Sequence, residues 1–173
     1  MNVRALTLYD VQRFEDDIIQ CYLDNLQIQD SQCPVNFTNR DEVIDYLFGY
    51  IEDSKSFVTG IFDKDEEYLF GLVIYDGVRM TDDGNSAELH LVTCKDMWGK
   101  DFLDVYKDML SGTIFDTLYC LIPSYCRPVI GLIKKLGFKK TGYVPKVLPY
   151  KNLKGQEKMY DVLIYSWRKD EIS

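Results

Sequence analysis

Apolar residues recur along this chain at two spacings, near two and near 3.6, and the switches between them predict its elements. Val3 to Leu8 is short and alternating, a first strand. Asp10 then stands as a helix cap ahead of Val11, Phe14, Ile18, Cys21 and Tyr22 at helical spacing. Gln27 to Thr38 is polar, contains Pro34 and reads as a loop. Thr38, Asn39 and Glu42 supply capping chemistry for a second helix carrying Val43, Ile44, Leu47, Phe48 and Ile51 to about Glu52. Phe57 to Phe62 and Tyr68 to Tyr75 are strands joined by the charged turn Asp63–Glu67, and Gly71 within the second predicts a bulge or a close approach. Asp76 to Ser86 is polar and loop-like, with at most a short strand near Val78–Met80.

Ala87 to Thr93 is the next strand, and Phe102 to Leu110 a helix with Phe102, Val105, Tyr106 and Met109 inward. The most informative stretch is Thr117 to Gly142. An apolar run from Thr117 to Ile122 breaks at Pro123; a helix then starts near Arg127–Pro128, carries Val129, Leu132, Ile133 and Leu136 on one side, and stops at Gly137. Proline in a first helical turn has no donor to lose, and glycine just past the end adopts the left-handed cap. Phe138 begins a further extended segment.

With 173 residues and 46% apolar content, the chain is read as one domain, residues 1–173, with enough core to fold without metal or disulfides. It has no internal repeats. The five cysteines (Cys21, Cys33, Cys94, Cys120, Cys126) show no CxxC pairing and read as reduced thiols, pointing to a cytoplasmic setting. A thiol nucleophile finds no supporting arrangement, since the chain has a single histidine. That histidine also excludes multi-imidazole metal sites, and no metal is expected. No signal peptide or membrane-spanning run is read, so no membrane partner is expected. The net charge of −8 is uneven: from Arg127 onward eleven Lys/Arg face four Asp/Glu, and the acidic excess lies before it. Solvated faces explain this plainly; alternatively the basic part meets phosphate, of a cofactor or of nucleic acid, and the acidic part an amine. Nucleic acid is not assigned as a partner.

One pair of side chains stands out for chemistry. Strand alternation puts Glu88 and His90 on one face, where a carboxylate or imidazole can take the proton an attacking amine must lose. A hydrogen-bonded core imidazole and a strand-edge charge are the plain alternatives.

The strand, Ile122-Pro-Ser-Tyr-Cys-Arg-Pro128, helix, Lys134-Lys-Leu-Gly-Phe-Lys-Lys-Thr-Gly142 resembles the second half of the GNAT (GCN5-related N-acetyltransferase) fold, in its ribosomal-protein-alanine-acetyltransferase-like branch and related phage-encoded members. Tyr150 to Trp167 is similar to that family's closing hairpin, and the opening Arg4, Leu6, Thr7, Asp10 is similar to how many relatives begin. The resemblance implies an α/β (α+β) acyl-CoA N-acyltransferase fold: a mixed central sheet of six or seven strands flanked by about four helices. It implies acetyl-CoA in a V between the strands at 87–93 and 117–122. Backbone groups of Leu91, Val92 and Thr93 would hold the thioester, Gly99 and Lys100 the pyrophosphate, with Cys126 and Arg127 completing the set. Glu88 or His90 would be the base, and Ser124 or Tyr125 the acid.

The chain departs from the family pattern at four positions. Asp96 and Asp101 stand in the pyrophosphate turn, where each carboxylate costs about 1–3 kcal/mol unless Lys95 and Lys100 offset it. Cys126 stands where an asparagine contacts the pantetheine arm, and Ile133 where a tyrosine protonates the leaving thiolate. Two functions follow: an acetyl-CoA-dependent N-acetyltransferase acting on a protein amino terminus, lysine or small amine, or a non-catalytic protein of the same fold, such as a phage virion or assembly component. The first has an amine-bearing substrate, a protein among the options. The second has virion proteins as partners, in host cytoplasm or particle. Tyr165 and Trp167 could pair closing strands across a homodimer or simply fill the core.

Overall fold

A computed structural model describes residues 1–28, 40–95, 100–151 and 157–171. The described chain runs β1 (Asn2–Ala5), α1 (Leu8–Arg13), α2 (Glu15–Ile28), α3 (Arg40–Glu52), β2 (Phe57–Phe62), β3 (Leu69–Thr81), β4 (Gly84–Thr93), α4 (Lys100–Ser111), β5 (Thr117–Pro123), α5 (Arg127–Lys135), β6 (Lys139–Lys151) and β7 (Glu157–Arg168). The strands form one sheet in the order β1-β2-β3-β4-β5-β7-β6. Only β4 and β5 run parallel; the other pairs are antiparallel.

Alternation sends the two faces of the sheet into separate cores. On one, Val58, Leu72, Ile74 and Val92 pack against Val11, Phe14, Ile18, Tyr22, Val43 and Leu47 of α1–α3. On the other, Val73, Tyr75, Leu89, Leu118, Cys120 and Ile122 pack against Phe102, Tyr106 and Leu110 of α4 and Ile133 of α5. Tyr165 and Trp167 are each 2% exposed in this second core, so core filling and not strand pairing across a dimer is their role. No helix among the described residues is long and apolar enough to cross a membrane.

The structure corrects several boundaries. The first strand ends at Ala5 rather than Leu8, because Thr7, not Asp10, caps the helix. Thr7 Oγ1 accepts from the Asp10 N–H at 3.2 Å while Asp10 Oδ2 accepts from the Thr7 N–H at 2.9 Å, a reciprocal capping box with Asp10 at its third position. The helix expected from Asp10 to Tyr22 is two, α1 and α2, broken at Phe14. Helix α2 extends to Ile28, so Gln27 and Ile28 are helical; the rest of the expected loop, with Pro34 and the Thr38–Asn39 cap, lies outside the described residues. Asp76 to Ser86 is not a loop: β3 runs to Thr81 and β4 starts at Gly84, a ribbon with a register shift between Asp76 and Arg79. Its polarity reflects strands that outrun the core.

Helix α5 ends as its residues dictate. Gly137 has φ +90°, its N–H reaches the Lys134 carbonyl, and the Phe138 N–H reaches the Ile133 carbonyl, both at 3.1 Å. These are the two bonds of a Schellman cap, closed by apolar Phe138 and Ile133 in the same core. Gly71 shows the expected close approach: a Cβ there would sit 2.9 Å from Thr93 Cγ2 and 3.0 Å from the Val92 carbonyl oxygen. Gly71→Ala is therefore expected to destabilise by about 1–3 kcal/mol, read from its urea midpoint; an unchanged midpoint would show that β4 yields at no cost.

Candidate active site

The sheet opens at β4. This strand pairs with β3 from Gly71↔Thr93 to Asp76↔Glu88, but with β5 only at Ser86↔Thr117, Ala87↔Leu118 and Glu88↔Tyr119. Beyond Glu88 the two parallel strands part, β5 continuing beside β7 as far as Pro123↔Val162. In such ladders successive residues send their peptide groups to opposite sides. The Cys94 N–H donates to the Phe70 carbonyl on the β3 side, and the Asn85 carbonyl accepts from the Asp116 N–H on the β5 side, each at 2.9 Å. Even-numbered residues of β4 thus face β3. The peptide groups of Leu89, Leu91 and Thr93 turn into the opening, while the Val92 N–H belongs to the β3 ladder.

Because β4 and β5 are parallel, their carboxyl ends lie at the same, open end of the sheet, and α4 and α5 start beyond them. Lys100 is the first residue of α4; Asp96 and Gly99 lie outside the described residues. At the other lip, the Ser124 N–H donates to the Asp161 carbonyl at 2.9 Å, and the Tyr125 ring meets Tyr160 edge-on with centroids 4.4 Å apart. Cys126 is buried as the residue preceding α5, Arg127 is exposed in its first turn, and Ile133 is fully buried.

At the apex stand Glu88 and His90, facing α3. Glu88 Oε1 lies 3.5 Å from His90 Nε2, which is buried and takes no hydrogen bond among the described residues. Burial, and then the charge of Asp76, push the Glu88 carboxyl up; burial pushes the His90 imidazole down, against a smaller opposing effect of Asp76. The Tyr50 ring lies 6.1 Å from the imidazole, and Tyr46 meets Tyr50 edge-on at 5.0 Å with their hydroxyls 2.9 Å apart. Asp76 sits opposite Glu88, its Oδ1 accepting from Ser56 Oγ at 2.8 Å and the Gly77 N–H at 2.7 Å. On the β5 side Tyr119 is opposite Glu88, its phenol pushed up by burial first and then by the Glu88 charge.

Strand alternation brought Glu88 and His90 together as expected from the sequence, while the residues around them were not read from it. Asp76 was hidden in the presumed loop, and Tyr119 and Tyr50 join the site only through strand register and helix packing. Cys120, behind the opening, has its thiol pushed up by burial, the reverse of what activates a nucleophile.

No protein-family model matches the sequence, and no curated protein matches it. Solved structures do. A spermidine N-acetyltransferase from Vibrio cholerae, in complex with CoA and spermine, superposes with a TM-score of 0.72 at 17% identity over 98% of this chain and 96% of its own. The Streptococcus mutans protein smu.2055 gives 0.64 at 18% identity over 98% and 99%. Sheet order, the single parallel pair and these superpositions agree: the chain has the GNAT acyl-CoA N-acyltransferase fold.

Proposed function

We propose that this protein is an acetyl-CoA-dependent N-acetyltransferase that modifies a cationic amine by direct transfer. The observation that carries the reading is the Glu88–His90 pair at the apex of an opening between two parallel strands, with peptide groups of β4 directed into that opening. The V. cholerae neighbour binds CoA in the same fold, which supports the same ligand here.

The opening fits such a ligand at the β4 peptide groups and at Lys100, while Asp101 in the first turn of α4 opposes a pyrophosphate there. The Leu91 and Thr93 N–H groups are the donors for a carbonyl oxygen gaining negative charge; Val92 lines the strand without contributing its N–H. The start of α4, with Gly99 and Lys100, is the proposed anion site for a pyrophosphate, and Cys126 and Arg127 at the start of α5 are the remaining candidates to meet the cofactor. Bound acetyl-CoA supplies an acyl group activated as a thioester. Glu88 takes the proton released by the attacking amine, directly or through water, and neutral His90 is its relay. Ser124 or Tyr125 serves as proton donor to the departing sulfur, since Ile133 has none to give.

The competing role, a non-catalytic scaffold such as a virion or assembly component, needs no ligand in the opening. Thermal unfolding with acetyl-CoA and with CoA separates the two. Micromolar affinity at millimolar ligand stabilises by roughly 4 kcal/mol, several degrees for a domain of this size. A shift of that size is the expected result; no shift with either ligand overturns the proposal.

A further inference from the structure

We infer that Cys21 and Cys94 form a site of reversible oxidation, closing into a disulfide that ties α2 to the carboxyl end of β4 when the protein meets a peroxide. Neither thiol has a part in the transfer chemistry above, so this site stands or falls apart from the transferase reading.

The fold brings the two sulfurs together from distant parts of the chain. Asp17, Cys21 and Asp24 lie at positions i, i+4 and i+7 of α2, a single stripe of that helix. Both carboxylates of the stripe hold backbone of the sheet: Asp17 Oδ2 accepts from the Leu69 N–H at 2.9 Å, and Asp24 Oδ2 from the Lys95 N–H at 2.7 Å. Between them Cys21 Sγ lies 4.0 Å from the Leu69 carbonyl oxygen. Cys94 is held from the β3 side, its N–H donating to the Phe70 carbonyl at 2.9 Å. The neighbours of each cysteine are thus anchored beside the other, and the Cys21 thiol is hydrogen-bonded to that of Cys94. Neither is in a disulfide in this structure.

The two thiols differ in exposure, which assigns their parts. Cys21 is fully buried; its thiol is pushed far up, first by the hydrogen bond to Cys94 and then by burial, so it keeps its proton. Cys94 is half-buried, one residue past Thr93 at the end of β4, and is the sulfur a small oxidant meets first. Its sulfur attacks one oxygen of hydrogen peroxide, the O–O bond breaks, and the other oxygen leaves as water with the thiol proton, giving a sulfenic acid. The Cys21 sulfur then attacks the Cys94 sulfur. The S–S bond forms, the S–O bond breaks, and the Cys21 proton leaves with that oxygen as a second water. Two thiols and one peroxide become one disulfide and two waters, with two electrons passing from sulfur to oxygen. A raised thiol is a poor nucleophile in free encounter, but here contact replaces encounter and its proton is already directed at the group that departs.

Exposure of the intact protein to hydrogen peroxide, followed by thiol counting after denaturation and by mass spectrometry of a non-reducing digest, tests the site. The count is expected to fall by a pair from the five of the reduced chain, with a linked Cys21–Cys94 peptide that dithiothreitol removes. The bond closes a loop of about 70 residues, so oxidation is also expected to raise Tm by about 5–10 °C. Cys94→Ser, at a half-buried position, should lose both the linked peptide and the rise, and Cys33→Ser should keep both. Five thiols surviving oxidation, a Cys94 disulfide to any other cysteine, a Cys94 sulfinic acid without the linked peptide, or a Tm that falls on oxidation would each overturn the assignment.

Discussion

Glu88→Gln is expected to lower kcat/KM for amine acetylation by about 10²–10³-fold while leaving acetyl-CoA binding intact, as removal of a positioned base does. The glutamine keeps the shape of the side chain and loses its proton affinity. Because burial and then Asp76 raise the Glu88 carboxyl, it ionises at higher pH than an ordinary carboxylate. Wild-type kcat/KM should therefore climb with pH through a midpoint above 4.5, and that step should vanish in the variant. The stability consequence has the opposite sign. A group whose folded pKa is raised favours the folded state at low pH, and that contribution is lost as pH rises through the raised value. Glu88→Gln should accordingly be no less stable than wild type at pH 7, separating lost catalysis from lost structure. His90, depressed by burial, favours folding above about 6.5 and loses that contribution as pH falls. A Glu88→Gln protein within about threefold of wild-type activity would assign the base elsewhere.

Asp10→Ala is expected to have the largest effect on stability, about 3–5 kcal/mol, with Tm lowered by about 10 °C. Arg4 grips Asp10 through two hydrogen bonds, Nη1–Oδ2 at 2.8 Å and Nη2–Oδ1 at 2.9 Å, and the carboxylate is only 5% exposed. The same carboxylate closes the capping box with Thr7. Its removal uncaps α1 and leaves Arg4, stacked 4.3 Å over the Phe62 ring, with the more exposed Glu66 as its remaining carboxylate beside the Ala5 carbonyl. The hydrogen bond to Arg4 is the main reason the Asp10 carboxyl lies well below its ordinary range. A lowered carboxylate stabilises above its ordinary pKa and ceases to as pH falls. The deficit of the variant, read from urea midpoints, should thus shrink steadily from pH 7 into strong acid. A deficit below about 1 kcal/mol at pH 7 would mean that water replaces the ion pair at little cost.

Features carried by local backbone chemistry were legible in the sequence. Pro128 and Gly137 bracket α5 as their residue types require, and period-two spacing put Glu88 and His90 on one face. Arg4, Thr7 and Asp10 were picked out together, but the cap was assigned three residues late because threonine and aspartate are both good caps and only the fold shows which one accepts. Asp76 was lost for another reason. The ribbon from Asp76 to Ser86 projects beyond the core and lacks the apolar alternation that marks a buried strand, and a bulge shifts its register. Which residues meet across strands depends on register, which no window along one strand contains. The surroundings of Glu88 and His90 were invisible on the same ground, being contributed by β3, β5 and α3.

Three residue pairs alone join β4 to β5, so the seven strands behave mechanically as two leaves, four strands and three, stitched along one short seam. Glu88 occupies the last stitch. Whatever spans the gap beyond it ties the leaves together, and any spreading or closing of the leaves is felt first by the side chains on that stitch and its neighbours, the ones assigned to proton transfer.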